Sequence, residues 1–370
     1  MSLRLATFNV ENLMNRFDFS GFRNQLYQDR VLALYEIKDE AEYRHLERAR
    51  AIAHTDDTRQ LSALAITAAR ADILCLQEVD NIDALRAFEY GYLFKMIGRG
   101  YRDKFTTPGN DGRGIDVAIM VREETRHGQT IEFVSMQSHA HLTYADLDLH
   151  TPELAELGEE PHERIFRRDC LELNLRIDGK PLTVYTVHFK SMGSPRNGLD
   201  GREATMPIRF AEAAAVRRII TDRFGVEHAA DKRWAICGDL NDYRERVIVS
   251  GGLLDGFEFA PYREAGSCLD VLTEGDFCEN VVERRPELDR WTLYHTRGPQ
   301  ERHLCQLDYI LLSAGLARRN AGAVPEIVRN GQPHRTPFPL GQEVERYPRT
   351  GWDRPKASDH CPVVVEIDIV

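Results

Sequence analysis

The sequence predicts an α/β fold of two stacked sheets with helices packed outside them. Three observations lead there. Apolar strand-like runs outnumber helical stripes. Several runs, residues 71–76 among them, are apolar at nearly every position, which suits strands covered on both faces. Six runs also end in a short polar motif, so the strands share an edge where chemistry can be placed. Two sheets face to face, with amphipathic helices closing their outer faces, satisfy all three.

The elements follow in order. Residues 3–8 form an apolar strand ending at Asn9. Residues 12–58, rich in Glu, Arg, Tyr and Leu, are long for a simple connection and read mostly as surface helix. Leu61, Leu64, Ala65, Ala68 and Ala69 keep a helical period. Residues 71–76 are a buried strand. Gly112-Arg113-Gly114 then breaks the chain before strands at 115–121 and 129–136. Residues 139–163 hold seven acidic residues, four His and no Lys or Arg, and read as an exposed insertion. Strands follow at 170–177 and 182–187, then a Gly/Pro/Asn-rich loop over 191–201. Pro207 suits a first helical turn, and Ile208, Ala211, Ala215, Val216, Ile219 and Ile220 continue that helix to about Phe224. Strands at 233–237, 309–312 and 363–369 complete the set. Residues 325–356, with six Pro and little periodicity, read as a long surface loop.

Neither half of the chain holds a complete set of the polar motifs. This predicts one domain over 1–370, with loop insertions near 12–58, 139–163 and 325–356. A chain of 370 residues buries a large core without disulfides. The net charge of −11 excludes a protein coated in basic charge for nonspecific nucleic-acid binding, but allows a local basic groove. The seven Cys include no C-x-x-C pair, and Cys75, Cys237 and Cys361 sit in or beside apolar runs. Buried reduced thiols and a reducing compartment are expected. The start of the chain lacks the apolar stretch of a signal peptide, and no run is long enough to cross a membrane. A cytoplasmic protein is expected.

The motifs are Thr7-Phe8-Asn9-Val10-Glu11, Leu76-Gln77-Glu78-Val79, Val187-His188-Phe189-Lys190-Ser191, Gly238-Asp239-Leu240-Asn241-Asp242, Gln306-Leu307-Asp308-Tyr309 and Ser358-Asp359-His360-Cys361-Pro362. A phosphoester resists attack because its oxygens repel a nucleophile and its leaving oxygen is a poor anion. Hydrolysis therefore needs a cation, an activated water and donors for the developing charge. Magnesium takes hard oxygen ligands and keeps several waters, so one or two carboxylates and an amide suffice. Glu78 and Asn9 end buried strands and are the candidate ligands, with Glu11 in support. Asp239 and Asn241, two apart, face the same way in extended backbone. Asp239 can take a proton from water, and Asn241 can donate to a phosphoryl oxygen. Gly238 allows close backbone approach. A His360 kept protonated by a carboxylate can donate to phosphate, with Asp308 the natural partner. His188 can protonate the leaving oxygen.

Together these residues resemble the endonuclease/exonuclease/phosphatase superfamily, which includes deoxyribonuclease I, abasic-site endonucleases, sphingomyelinases and inositol-polyphosphate phosphatases. The resemblance implies a four-layer α/β/β/α sandwich with the site at one edge of the paired sheets, and Mg²⁺ or Mn²⁺ as cofactor. It implies that Asn9 and Glu78 hold the metal, with Glu11 nearby and Asp359 supporting metal or water. Asp239 would orient or activate the water, Asn241 would bind phosphate, and His360 would do so paired with Asp308. His188 matches members with His on this strand and departs from the abasic-site enzymes. Gly114-Ile115-Asp116-Val117 resembles uncharacterised bacterial members; Asp116 is a candidate partner for His188, and Arg113 and Lys190 are candidate phosphate contacts.

The expected function is a divalent-metal-dependent phosphoester hydrolase, foremost a nuclease-like phosphodiesterase acting on a phosphoester that can be nucleic acid. The alternatives are a small phosphorylated metabolite or lipid headgroup as substrate, and a catalytically silent scaffold. Residues 325–356 carry six basic residues against four acidic ones and run into Asp359-His360, so they can track a backbone. The acidic stretch 139–163 would repel one if it stood at the cleft. A zinc site among His139, His141, His150 and His162, a glycine-rich nucleotide fingerprint at 112–114 and a base-stacking aromatic platform are all set aside.

Overall fold

The computed structural model describes residues 2–13, 39, 56–193, 198–296 and 301–369. The first half of the chain runs through β1 (Ser2–Leu13), α1 (Asp56–Ala69), β2 (Ile73–Val79), α2 (Ile82–Phe88), α3 (Phe94–Ile97), β3 (Asp103–Thr106), β4 (Asp116–Val121), β5 (Ile131–Ser138), α4 (Pro152–Leu157), β6 (Cys170–Ile177) and β7 (Lys180–His188). The second half runs through α5 (Met206–Phe224), β8 (Trp234–Asp239), β9 (Glu245–Gly252), β10 (Gly256–Arg263), α6 (Cys268–Thr273), β11 (Cys278–Asn280), β12 (Leu293–His295), β13 (Arg302–Cys305), β14 (Asp308–Ser313), α7 (Ala314–Arg319), β15 (Glu326–Ile327) and β16 (Val363–Asp368).

Two six-stranded mixed sheets form the centre, in the orders β15-β16-β1-β2-β4-β3 and β11-β14-β8-β7-β6-β5. They repeat one plan. Each has a parallel pair, β1/β2 in one and β7/β8 in the other, flanked by antiparallel neighbours. A crossover helix joins each parallel pair, α1 in the first and α5 in the second. Strand alternation then explains the layers. Leu3, Leu5, Ile73, Cys75, Ile119 and Val365 meet Leu173, Val184, Ala235, Cys237 and Ile310 between the sheets. The opposite faces bury Phe8, Leu74 and Leu76 under Leu61, Ala65 and Ile66 of α1. On the other sheet Tyr185, Val187, Trp234 and Ile236 lie under Ile208, Ala215, Val216 and Ile219 of α5. This is the expected helix–sheet–sheet–helix order.

A third sheet, β10-β9-β13-β12, was not expected. Its outer strands β9 and β10 mix Glu, Arg, Ser and Gly with few buried residues, and β12 and β13 are too short to show a period. Two loop expectations also change. Residues 139–163 are not simply exposed, because Tyr144 and Leu154 pack into the α5 layer. Residues 325–356 form almost no regular structure, yet Arg329, Gln332, Thr336 and Lys356 are buried there. The helix expected over 12–58 falls mostly outside the described residues. All seven Cys are free and buried. Among the described residues no helix is long and apolar enough to cross a membrane.

Candidate functional site

The mixed topology brings the six motifs to one edge. Parallel β1/β2 and β7/β8 both finish there, which places Asn9, Glu78, His188 and Asp239 side by side. The antiparallel neighbours begin there, with Asp308 opposite Asp239 in β14 and residues 358–360 leading into β16. The backbone is distorted at this edge. Glu11, Asn12, Glu78 and Asn241 all take positive φ, at 50°, 65°, 67° and 49°. Register breaks occur beside Glu78 and between Asn9 and Leu13. Such bulges re-aim side chains at sheet edges, and such strain concentrates at functional sites. Gly238 is required by space, since a Cβ there would lie 2.0 Å from the Val187 carbonyl oxygen.

Asp239 is the hub. Its Oδ2 accepts from Asn9 Nδ2 at 3.0 Å and faces His188 Nε2 at 3.5 Å and His360 Nε2 at 3.8 Å. Its Oδ1 accepts from the Asn241 backbone N–H at 2.8 Å. Burial is the main cause that pushes its carboxyl up to about 7, with Asp308 adding to the rise and the His360 charge opposing it. Asn9 Oδ1 accepts from the Glu11 N–H at 3.0 Å, and Asn241 Nδ2 is anchored on the Phe189 carbonyl at 3.1 Å.

The two imidazoles are driven apart. Burial would neutralise His360, but the Asp308 and Asp239 carboxylates, the 2.8 Å bond from Nδ1 to Asp308 Oδ2, and Asp359 outweigh it and hold the ring charged. Burial, then the charges of Arg168, His360 and Arg113, push His188 well below the usual imidazole range. The expected part of His188 as general acid needs a proton on Nε2, the atom that lies 3.5 Å from Asp239 and 4.0 Å from Glu78.

Glu11 ties β1 to the approach of β16. Its carboxylate pairs with Arg354 and with Lys356 Nζ at 3.2 Å, and accepts from the Asp359 N–H at 3.0 Å. Glu78 lies 4.0 Å from His188 Nε2. Burial and the nearby Asp359 charge raise its carboxyl. These groups, with Arg113, Asn241, Leu293, Tyr294, His295, Thr296 and Arg335, line a cleft of about 380 Å³. No residue of 139–163 lines it, so that acidic stretch does not face the site.

With that edge assembled, the sequence was compared with known families, and residues 6–360 match the Endonuclease/Exonuclease/phosphatase family. The chain belongs to that family. Members of the family are hydrolases that act on phosphoester bonds. Truncated TDP2 from Caenorhabditis elegans is 14% identical with a TM-score of 0.51, over 99% of this chain and 97% of that one. The human nocturnin catalytic domain, with a bound sulfate anion, is 14% identical with a TM-score of 0.49, over 99% and 93%. D. rerio TDP2 with a single-strand DNA product is 14% identical with a TM-score of 0.46, over 99% and 99%. At these identities the TDP2 likeness shows a shared fold alone. No curated protein matches the sequence.

Among the described residues no three His, Cys, Asp or Glu side chains form a ready-made cage. A hard cation does not need one, because it accepts a carboxylate, an amide oxygen and waters. Glu78 supplies a cleft-facing carboxylate that Asp359 repels, and a cation would relieve that repulsion. Asn9, on the neighbouring strand opposite Gln77, has an amide oxygen that accepts from the Glu11 N–H and keeps a second lone pair. The residues fit.

Three candidates stand apart from the hub. Asp116 does not meet His188. Its carboxylate accepts from the Gly109 N–H at 2.7 Å, while His188 Nδ1 is buried without a hydrogen-bond partner among the described residues. Arg113 lines the cleft, held at 2.9 Å by Asp111, which buried Arg168 grips from behind at 2.9 Å. Lys190 Nζ donates to the Ser191 carbonyl at 3.0 Å, and its backbone N–H to Glu212 at 2.7 Å. Some supports were missed. Thr292 Oγ1 accepts from the Leu307 and Asp308 N–H groups at 3.0 and 3.2 Å and so seats Asp308. Asp242 accepts from Ser267, the Cys268 N–H and Arg202 and so fixes the 238–242 turn. Only the Asp242 position carried a visible signal, as the last residue of the Gly-Asp-Leu-Asn-Asp run.

Proposed function

We propose that this protein is a divalent-metal-dependent phosphodiesterase of nuclease type. The observation that carries the reading is the buried Asp239 carboxylate, with His188 Nε2 at 3.5 Å and His360 Nε2 at 3.8 Å, on an edge that Glu78 and Asn9 share. Asn9 and Glu78 would hold Mg²⁺ or Mn²⁺, with Glu11 and Asp359 placed behind them. The bound cation supplies charge to the phosphoryl oxygens and lowers the pKa of a bound water.

The remaining steps belong to the chain. Asp239, with its carboxyl at about 7, takes the proton of the attacking water near neutral pH. Asn9 and the Asn241 N–H hold that carboxylate in one orientation. Asn241 has a second side-chain N–H for a phosphoryl oxygen. His360 donates from Nε2 to the same phosphate, its charge held by Asp308. His188 stays neutral, as a wall and hydrogen-bond partner. Arg113 and Arg335, paired with Asp111 and Asp353, line the same cleft and offer N–H groups to phosphates beyond the scissile one, which supports a polymeric diester.

The test is hydrolysis of bis-p-nitrophenyl phosphate, p-nitrophenyl phosphate, plasmid DNA and single-stranded RNA with Mg²⁺, Mn²⁺ or EDTA. Metal-dependent cleavage of the diester and a nucleic acid, lost in Asp239→Ala, is expected. Cleavage of the monoester alone would move the substrate to small phosphorylated metabolites. Silence on all four without metal binding would leave a scaffold.

A further inference from the structure

Residues 358–360 carry two groups of the site yet belong to no strand, because β16 begins at Val363. Their polar atoms are nonetheless held from two sides. Donors and the Ser358 hydroxyl face β1: Ser358 Oγ donates to the Asn9 carbonyl at 2.7 Å, and the Asp359 N–H to Glu11 at 3.0 Å. The acceptors converge on one side chain, while at the end of the loop His360 bridges Leu293 of β12 and the Cys361 N–H donates to the Thr292 carbonyl at 2.8 Å. Gln332 Nε2 lies 3.3, 3.3 and 3.1 Å from the carbonyl oxygens of Ser358, Asp359 and His360.

This amide is built in. Gln332 is 2% exposed. Its backbone N–H donates to the Arg329 carbonyl at 3.0 Å, and its carbonyl accepts from Arg346 Nε at 3.1 Å. Gly331 beside it packs so closely on Ala357 that a Cβ would lie 2.4 Å from the alanine methyl. Two N–H groups are thus shared among three consecutive carbonyls, two of them on buried residues. Leaving such a carbonyl unpaired is costly, so the segment would shift before it left them bare.

We propose that Gln332 is a positioning residue that sets Asp359 and His360 in the site and ties the arginine-bearing segment 325–356 to the chemistry. The inference rests on the proposed function, since it assumes that His360 acts on substrate. It makes the pre-β16 loop part of the reacting geometry, where a misplacement of about 1 Å can cost about 100-fold in rate.

The experiment compares Gln332→Met, which keeps length but removes both N–H groups, with Gln342→Met. The second variant loosens the same segment, by removing its bonds to Trp291 Nε1 and the Leu288 carbonyl, without touching Gln332 or the three carbonyls. Kinetics on bis-p-nitrophenyl phosphate with Mg²⁺ are normalised to folded protein. A second readout is the low-field proton signal of the buried His360 Nδ1–H, assigned by its loss in His360→Asn. Gln332→Met is expected to lower kcat by about 10- to 100-fold with KM within about threefold, and to broaden or shift that signal. Gln342→Met is expected to keep wild-type kcat and signal. Wild-type kcat and an unmoved signal in Gln332→Met would overturn the inference alone. Equal losses in both variants would also overturn it, since segment packing would then suffice. A wild-type protein silent on the diester would fail the proposed function, and this inference with it.

Discussion

At the scale of single residues, Asp239 is the side chain on which the site turns. Asp239→Asn keeps its volume and removes the proton acceptor. Turnover of a phosphodiester is expected to fall by about 100-fold or more with the circular dichroism unchanged. Retained turnover would take Asp239 out of the chemistry. The His360–Asp308 pair makes a sharper demand, because the charged ring is buried. Asp308→Ala leaves that charge uncompensated and is expected to cost about 3–5 kcal/mol of stability, read from urea unfolding. Asp308→Asn can still accept from Nδ1 and should cost less; an equal loss would mean that packing, and not charge, holds the ring. The chemistry-bearing residues could be read from the sequence because each ends, or leads into, a strand whose apolar run is visible. Their partners could not. Thr292 seats Asp308 from another sheet, and Gln332 reaches residues 358–360 across an irregular segment, so neither has a local signature.

At the scale of elements, α5 carries a carboxylic acid where a helix facing a sheet ought to be apolar. Glu212 is fully buried and accepts from the Lys190 N–H, and burial pushes its carboxyl up to about 7, against 4.5 unperturbed. Between those values the folded chain binds more protons than the unfolded one. Stability from this group is therefore full below pH 4.5 and is lost as pH rises through about 7, amounting to about 3 kcal/mol. Glu212→Gln should remove that slope. The measurement is the difference in unfolding free energy between wild type and variant at pH 5 and at pH 8, and a pH-independent difference would contradict the assignment. The sequence showed α5 itself because its apolar stripe is regular, and Glu212 did not disturb the pattern. The strands of the third sheet stayed hidden for the opposite reason, being either half-exposed and mixed or only three to four residues long.

At the scale of the whole molecule, a net charge of −11 goes with a site edge where the Glu78 and Asp359 carboxylates repel each other. Mg²⁺ should therefore stabilise the fold by mass action, by about 2.7 kcal/mol at one hundred times its dissociation constant. A rise in Tm with Mg²⁺, reversed by EDTA and absent in Glu78→Gln, is the expected outcome. An equal rise in that variant would place the cation elsewhere. The layered plan was legible in the sequence because it rests on strand burial summed over the chain. The closing of residues 325–356 over the site was not, since a segment with six Pro and no period looks the same whether it packs or floats.

The antiparallel pairing of β1 with β16 sets Ser2 against Asp368, so β1, which meets β2 early, gains its other neighbour only once residues 363–368 have been made. A nascent polypeptide still on the ribosome carries Asn9, Glu78, His188 and Asp239 long before it carries His360. On the proposed roles, such a chain has the acids of the site without its charged ring and is expected to leave phosphoesters intact until His360 is in place.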